Sequence, residues 1–512
     1  LAYNEKPKAM EVVDAKKEDK INVDKKASTS TGWIAGLAGL GLAGGGGGGS
    51  SSSSSTFMDE STSFNEDTTS TTTWASRQEY KNVAQYYSRS TIHPYTLIGV
   101  DHAFGRGLSG SGKTVAIIDT DFANSAGSLQ YEFDGKSINY YGSITVGGSA
   151  STNYHGLHVA GTIGANYNNN SSSHVTDNTN TTTYDTTNTR LRNNATGQYP
   201  SGNHGLLNYG TMGVAYNSNL HIADFASGGY DHLANATDDA KSNNAIAQNN
   251  SYAMGSCQSS NCTYTIDRFI DYQNNNGTTD SATLAAADNG STSADIYANY
   301  ISTYNDYQST GVVVFAAGND ETNTQPNVLG ALPVLATELE EAWLVVGNLD
   351  FTGSNISSSS VTRYSNQCGL ASAFCIYADG TDITSTVGGF GGSSETGRYQ
   401  IYSGSSMAAP QVTGAIALLS EAFPNHTPAQ LTDRILATAN NTFFTTTENT
   451  SFVNGVVHGY NTEFGHGLLD LEKALKPITT SMLSSAILLG SSNSVNVSSA
   501  QRYNLNSSQV NL

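Results

Sequence analysis

The chain has 512 residues, of which 13% are charged and 37% hydrophobic, with 43 acidic against 23 basic side chains. The formal net charge of −20 repels phosphate backbones and anionic lipid surfaces, so the composition argues against nucleic acid as a partner. A surface made mainly of neutral polar residues is typical of a secreted protein.

The first part of the chain has a composition that predicts disorder. Residues 1–73 join a charged segment to a Gly/Ser-rich stretch, and neither has the apolar content needed to pack. The stretch at 32–55 is read either as the hydrophobic part of an export signal or as a flexible linker. We expect a disordered leader and linker over 1–73 and a connecting segment over 74–90. No run of 18 apolar residues occurs, so no transmembrane helix is expected.

Short β-branched runs alternate with helix-like stretches from about residue 91. Continuous apolar runs of this length indicate strands that are buried on both faces, as in a parallel sheet covered by helices. The pattern predicts a doubly wound α/β domain with a mostly parallel sheet over 91–477. The predicted strands contain residues 114–119, 220–225, 245–252, 311–319 and 343–349.

Two segments do not fit this alternation. Residues 166–205 are rich in Asn, Thr and Ser and have too little apolar content to pack, which predicts a surface insertion. Residues 478–512 turn to Ser and Asn with sparse Leu and Val, which indicates the start of a C-terminal module or a tail.

The four cysteines form two close pairs, Cys257 with Cys262 and Cys368 with Cys375. The spacings do not match the C-x-x-C knuckles of zinc sites, so two local disulfides are favoured over a metal site. An oxidising compartment is then expected.

Residues with the potential for chemistry follow several predicted strands. Asp119 ends the first strand, where an aspartate is more often a helix cap or turn residue. His155 and His158 are three apart, and no third ligand nearby supports a metal site. Asn319 follows a strand, where it is usually a turn former. Ser406 comes before a small-residue, apolar helix pattern, so its hydroxyl would lie in the positive field of a helix N-terminus.

Pro410 is expected to be tolerated because N–H groups in the first turn lack helical partners. This expectation places Pro410 within the first turn of the helix that Ser406 opens.

Four blocks of the sequence resemble one family when they are taken together. VAIIDTDF, HGLHVAG, VVFAAGN and GSSMAAP are similar to the signature blocks of the subtilisin-like serine proteases, in that family's Asp, His, Asn, Ser order. The resemblance covers roughly residues 91–477. Residues 331–350 and 364–380 further resemble the passenger proteases of bacterial autotransporters. This second resemblance implies a location outside the cell or on the bacterial cell surface, and an outer-membrane translocator module outside this chain.

The resemblance implies a role for each matching residue. Asp119, His155 and Ser406 would form the catalytic triad, and Asn319 with the Ser406 N–H would form the oxyanion hole. His158 resembles the family's packed second histidine and receives no catalytic role. The segment that would bind an extended peptide substrate contains Ser251, Tyr252, Ala253 and Gly318.

Three residues depart from the family pattern without removing a reacting group. Asp121 stands where glycine is usual, Leu157 where threonine is usual, and Asp379 where proline is usual. Because of these departures, the sequence does not determine the geometry of the loop near Asp119. The chemistry requires no cofactor, and the sequence leaves structural calcium open.

Three classes of function compete. A serine endopeptidase acting on proteins or peptides accounts for all four blocks. A non-catalytic adhesin or binding module on a protease-like scaffold has only the low charge and the 166–205 insertion in its favour. An esterase with another nucleophile is disfavoured, because no G-x-S-x-G elbow follows a strand.

Overall fold

The computed structural model of the 512-residue chain describes the parts that surround the predicted site. All of them fall within one unit, Ser54–Leu512. No helix in these parts is long and apolar enough to cross a membrane. The described residues are 66–84, 92–122, 131–144, 154–167, 210–225, 229–253, 264–277, 279, 293–353, 355–387, 398–452 and 456–478.

Eight strands of the described residues form one sheet in the order β2-β3-β1-β4-β5-β6-β7, with β8 also pairing to β6. All neighbours are parallel except β6 and β7. The strands are β1 (Thr114–Asp119), β2 (Ile138–Tyr141), β3 (Asn219–Asp224), β4 (Ala245–Asn250), β5 (Val312–Ala316), β6 (Trp343–Phe351), β7 (Val361–Arg363) and β8 (Cys375–Ala378). Two antiparallel pairs stand apart: β9 (Ile383–Val387) with β10 (Arg398–Tyr402), and β11 (Glu448–Ser451) with β12 (Val457–Tyr460).

The predicted fold class is confirmed. The central strands are buried on both faces because helices cover the sheet on either side, and this burial explains their unbroken apolar runs. Two strands end sooner than the sequence predicts. β4 ends at Asn250 rather than near residue 252, and β5 ends at Ala316 rather than at 319. Ala317 N still donates to Val346 O of β6 at 2.9 Å, and the residues of the predicted site follow at Ser251 after β4 and at Gly318 and Asn319 after β5.

The helices pack on the sheet in two groups. α5 packs against α9, and α9 contacts β4, β5 and β6, whereas α6 packs against α8 and contacts β4. The helices are α1 (Thr68–Ser76), α2 (Gln78–Asn82), α3 (Pro94–Leu97), α4 (Val100–Gly105), α5 (His155–Gly164), α6 (Tyr230–Ser242), α7 (Ile266–Asn276), α8 (Ala294–Tyr307), α9 (Ser405–Ala422), α10 (Pro428–Thr438) and α11 (Leu471–Ala474). Short 3₁₀ turns occupy Tyr131–Phe133, Leu332–Val334, Thr337–Leu339 and Gly369–Phe374.

The N-terminal boundary differs from the expectation. α1 begins at Thr68 and packs against α4, with Trp74 buried against Phe104 at a ring distance of 5.0 Å. Asp67 caps this helix by accepting a hydrogen bond from Thr69 N at 2.9 Å. The prediction of disorder is therefore wrong for residues 66–73, because Trp74 packing, the Asp67 cap and the ion pair of Glu66 with Arg106 hold a Thr-rich helix against the domain. Residues 1–65 lie outside the described residues.

The other predicted boundaries remain predictions. Most of the 166–205 insertion and residues 479–512 lie outside the described residues, as do Cys257 and Cys262. Cys368 and Cys375 are joined by a disulfide bond with a Cα–Cα distance of 5.8 Å.

Candidate active site

The carboxyl ends of β1, β4 and β5 meet at one edge of the sheet. Ile118 in β1 pairs with Asn250 in β4, and Asn250 pairs with Phe315 in β5. The residues that follow these positions therefore lie beside one another, which is where ligands bind in open parallel sheets. They are Asp119, which is the last residue of β1, Ser251 directly after β4 and the Gly318–Asn319 segment after β5.

Asp119 and His155 form a hydrogen-bonded pair at this edge. His155 Nδ1 lies 2.8 Å from Asp119 Oδ1, and the same oxygen accepts a hydrogen bond from Thr120 N at 2.8 Å. The Asp119 side chain is 2% exposed, whereas that of His155 is 25% exposed. The carboxylate is thus held inside the protein, and one edge of the imidazole faces the surface.

Local backbone geometry fixes the start of α5 next to β1. Tyr154, the residue before the helix, is left-handed with φ 53°, and Gly156 N donates to Thr120 O at 2.7 Å. A Cβ on Gly156 would lie 2.4 Å from Thr120 O, so only glycine permits this contact. The contact places His155 directly over the end of β1.

The electrostatics of the pair favour a protonated imidazole. Burial would lower the pKa of His155, but the charge of Asp119, the hydrogen bond to it and the charge of Asp121 together raise that pKa above 6.5. For Asp121, burial is the largest cause, and the charges of Asp224 and Asp119 add to it, so its pKa is raised above 3.8. Asp224 pairs with Asp119 across the β1–β3 ladder. The charges of two carboxyl groups, Asp119 and Asp121, therefore act on one histidine.

The departure at Asp121 is explained by its backbone. Asp121 has φ 61°, the left-handed conformation for which the family pattern uses glycine, and aspartate is among the residues that tolerate it. Leu157 is fully buried in α5, and the Asp379 carbonyl accepts a hydrogen bond from Gln411 Nε2 at 2.6 Å. The three departures are thus accommodated without displacing Asp119 or His155 from their pair.

Ser406 is the second residue of α9, so its N–H belongs to the first turn and has no helical acceptor. Its hydroxyl donates to Ser251 O at 3.1 Å, and the side chain is partly exposed. The expectation for Pro410 is wrong, because the helix begins at Ser405 and Pro410 is its sixth residue. Pro410 lies inside the helix and removes a hydrogen bond there.

Ser405 and Asn319 hold each other in place. Asn319 Oδ1 accepts hydrogen bonds from Ser405 N at 2.7 Å and from Ser405 Oγ at 2.8 Å. Because both Ser405 groups donate, the side-chain atom that faces them is the amide oxygen, and the NH₂ of Asn319 points away from Ser405. Asn319 is exposed, and its Nδ2 has no hydrogen-bond partner among the residues described. The site therefore contains an oriented donor that is not used.

The glycine before Ser405 permits this arrangement. Gly404 has φ 149°, and a Cβ there would lie 3.0 Å from Asn319 Oδ1. Gly404 thus lets the start of α9 approach the end of the β5 loop closely.

The predicted substrate-binding residues divide into two groups. In the described structure, the backbone groups of Tyr252 and Ala253 pair with no other backbone group, so they can pair with a peptide. Gly318 is different: its N–H donates to Ser405 Oγ at 3.1 Å, and its carbonyl accepts from Ser405 Oγ and from Asn366 N, both at 3.1 Å. These bonds connect Gly318 to Ser405, and its role in substrate binding stays a prediction.

His158 is buried away from the pair. Its Nε2 lies 3.1 Å from Ile383 O, and its ring stacks on Tyr402 at 4.4 Å. This packing agrees with the absence of a catalytic role. No group of three or more His, Cys, Asp or Glu side chains that could hold a metal ion occurs in the described part of the chain.

The sequence did not indicate two contributions to the geometry of the site. Ser405 orients Asn319, and a buried hydroxyl in this position is not available as a nucleophile. The only signal was its place next to Ser406. Asn249 and Thr413 connect to Ser251 through side-chain hydrogen bonds, and nothing in their local sequence indicates that connection.

Comparison with protein-family models identifies the family of this chain. The family model described as Peptidase S8, subtilase family, matches residues 110–467. This chain belongs to the subtilase family.

Its curated relatives match over shorter segments. Serotype-specific antigen 1 of Mannheimia haemolytica is 30% identical over 33% of this chain and 16% of that protein. An extracellular serine protease of Serratia marcescens is 34% identical over 25% of this chain and 13% of that protein. The Neisserial autotransporter lipoprotein NalP of Neisseria meningitidis is 28% identical over 32% of this chain and 14% of that protein. Much less than two thirds of each relative is therefore matched.

Among solved structures, the crystal structure of fervidolysin from Fervidobacterium pennivorans aligns with a TM-score of 0.44 and 22% identity. The alignment covers 76% of this chain and 46% of that one.

Proposed function

We propose that the protein is an exported serine endopeptidase that hydrolyses peptide bonds in protein substrates. The observation that carries the proposal is the edge of the sheet itself. The buried Asp119 carboxylate and the unused Asn319 amide donor lie at adjoining strand ends, where His155 bonds to Asp119 and the Ser406 hydroxyl at a helix N-terminus bonds to Ser251 O. Membership in the subtilase family supports the same activity.

In the proposed mechanism, Asp119, His155 and Ser406 act as a triad. The Ser406 hydroxyl turns from Ser251 O to His155, which takes its proton as Ser406 Oγ attacks the substrate carbonyl. Asp119 holds the imidazole through Nδ1 and stabilises its positive charge. The protonated His155 then gives its proton to the leaving amine, and water hydrolyses the acyl-enzyme by the reverse sequence of proton transfers.

The oxyanion hole in this proposal consists of Asn319 Nδ2 and the Ser406 N–H. The support for Asn319 is that Ser405 fixes its oxygen, so the amide needs no reorganisation when charge develops on the substrate. The support for Ser406 is its place in the first turn of α9, where N–H groups lack acceptors and the helix dipole favours negative charge.

Substrate binding is proposed to use the backbone of Tyr252 and Ala253 as a strand edge. Export is supported by the names of relatives, which include an extracellular protease and an autotransporter lipoprotein, and by the Cys368–Cys375 disulfide. A translocator module outside this chain and the Cys257–Cys262 disulfide remain predictions.

A fluorophosphonate probe tests the proposal, with the adduct mapped by peptide mass spectrometry. We expect the label on Ser406, and we expect Ser406→Ala to abolish both labelling and casein hydrolysis. Ser420→Ala is the matched control, because Ser420 lies on the same helix about 20 Å further along at 1.5 Å per residue, and it should leave both readouts unchanged. Absence of labelling in a folded protein that still binds polypeptides would instead favour the binding module, and label on another serine would overturn the assignment of Ser406.

A further inference from the structure

A hydrogen bond is missing from α9 at the position of the proposed nucleophile. In an α-helix the N–H of residue i donates to the carbonyl of residue i−4. Pro410 has no N–H, so the carbonyl that loses its helical donor is that of Ser406. A buried carbonyl left without a donor costs about 1–3 kcal/mol, and here the cost would fall on the residue that must be held most firmly.

The Ser251 side chain supplies the missing donor. Ser251 Oγ donates to Ser406 O at 3.0 Å, while the Ser406 hydroxyl donates to Ser251 O at 3.1 Å. Ser251 is 3% exposed, so water does not compete readily for its hydroxyl. The two serines are 155 positions apart in sequence and are joined by this reciprocal pair of hydrogen bonds.

Two further side chains fix the direction of the Ser251 hydroxyl. Asn249 Nδ2 donates to Ser251 Oγ at 2.8 Å, and the Thr413 hydroxyl shares its one hydrogen between Asn249 Oδ1 at 3.1 Å and Ala409 O at 2.9 Å. Because Ser251 Oγ accepts from Asn249, its single hydrogen remains for Ser406 O. Asn249 and Thr413 are fully buried, and Asn249 lies in β4 between β1 and β5. The hydrogen bonds that direct the Ser251 hydroxyl therefore begin at a rigid position in the middle of the sheet.

We propose that Ser251 is a positioning residue for Ser406, and that its hydroxyl, directed by Asn249 and Thr413, takes the place of the amide hydrogen that Pro410 lacks. This inference rests on the proposed function, since it assigns a purpose to holding Ser406. It also ties the nucleophile to the segment that is proposed to bind the substrate. The Ser251 side chain holds Ser406, while the backbone of the next two residues pairs with the peptide.

The decisive experiment is a double-mutant cycle between Ser251→Ala and Pro410→Ala, read as kcat and KM on a peptide substrate. Ser251→Ala should lower kcat roughly 10-fold, as loss of one buried hydrogen bond would, with KM changed less than about twofold. Pro410→Ala alone should change kcat by less than about threefold, because Ser406 O already has a donor. In the double variant the new N–H of residue 410 can donate to Ser406 O, so kcat should return to within about threefold of wild type.

Simple multiplication of the two single effects, or wild-type kcat in Ser251→Ala, would overturn the inference. Ser365→Ala is the matched control, since Ser365 is also a fully buried serine whose hydroxyl donates to a backbone carbonyl, that of Asn366 at 3.1 Å. It should lower thermal stability without changing kcat in the folded fraction.

A second variant tests the inference if Ser251→Ala does not fold. Ser251→Cys keeps a weak donor of similar size, so kcat should fall between the alanine and wild-type values. Wild-type kcat in this variant would contradict a role for the hydroxyl.

Probe labelling separates the failure of the proposed function from the failure of this inference. Loss of labelling at Ser406 in the wild-type protein would remove the proposed function, whereas labelling of Ser251→Ala at the wild-type rate would remove only this inference.

Discussion

The two halves of the candidate site are built on different physical principles. The half at β1 and α5 is charged, because Asp119 and Asp121 raise the pKa of His155 and Asp224 lies beside Asp119 on β3. The half at β5 and α9 is neutral, and hydrogen bonds from Ser405 and Ser251 fix it. In the proposed mechanism, the first half tunes a proton acceptor, whereas the second half holds hydrogen-bond donors in place before charge develops on the substrate. Mutations in the two halves should therefore differ in their pH signature more than in their structural damage.

The largest effect is expected in the charged half, for Asp119→Asn. The substitution removes the charge that stabilises protonated His155 and disturbs the tautomer, so kcat should fall by about 10⁴. The pKa of His155 should fall as well, because the charge of Asp119 and the hydrogen bond to it hold it above 6.5. Since catalysis needs neutral His155, the residual activity should persist to lower pH than in the wild type. A pH profile of kcat/KM checks this, and an unchanged acid limb would contradict the pairing.

The largest effect in the neutral half is expected for Asn319→Ala. Loss of an oriented donor to the oxyanion should lower kcat by about 10² to 10³, the size known for such a donor in subtilisin, with little change in KM. Asn319→Asp should be less active still, because it keeps the acceptor for Ser405 N and places negative charge where the oxyanion forms. Neither variant should move the acid limb of the pH profile by as much as Asp119→Asn does. Wild-type kcat in a folded Asn319→Ala variant would remove Asn319 from the mechanism.

The sequence predicts the charged half better than the neutral half, and the reason is physical. An apolar run that ends in Asp119 is visible along the chain because burial of β1 demands it. The roles of Ser251 and Ser405 arise from contacts with residues more than 80 positions away, and no local pattern specifies such contacts. Pro410 lies beyond the first turn of α9, and the Ser406 carbonyl accepts instead from Ser251, the residue after β4, which no local pattern specifies. α1 was missed because its stability comes from packing against α4 and not from helix propensity.

A smaller effect in the neutral half is expected for Ser405→Ala. The variant keeps the backbone N–H that Asn319 Oδ1 accepts but loses the hydroxyl bonded to Asn319 and Gly318. We expect kcat to fall roughly tenfold, as loss of one orienting hydrogen bond would predict, while the probe still labels Ser406. Steady-state kinetics with adduct mapping measure both, and Ser420→Ala again serves as the control on the same helix. Wild-type kcat in this variant would contradict an orienting role for the Ser405 hydroxyl.

The smallest effect returns to the charged half and separates charge from geometry. Asp121→Asn keeps a residue type that tolerates φ 61°, so the loop should retain its conformation. It removes one negative charge that raises the pKa of His155, and the acid limb of kcat/KM should therefore move to lower pH by a fraction of a unit. Plateau kcat should remain at the wild-type value, because Asp119 still holds the ring. Asp382→Asn is the matched control, since Asp382 is also an aspartate with positive φ, at 53°, yet its charge is not among the causes of the His155 shift. An equal displacement of the acid limb in both variants would show that net charge, and not the place of Asp121 beside His155, sets the pH dependence.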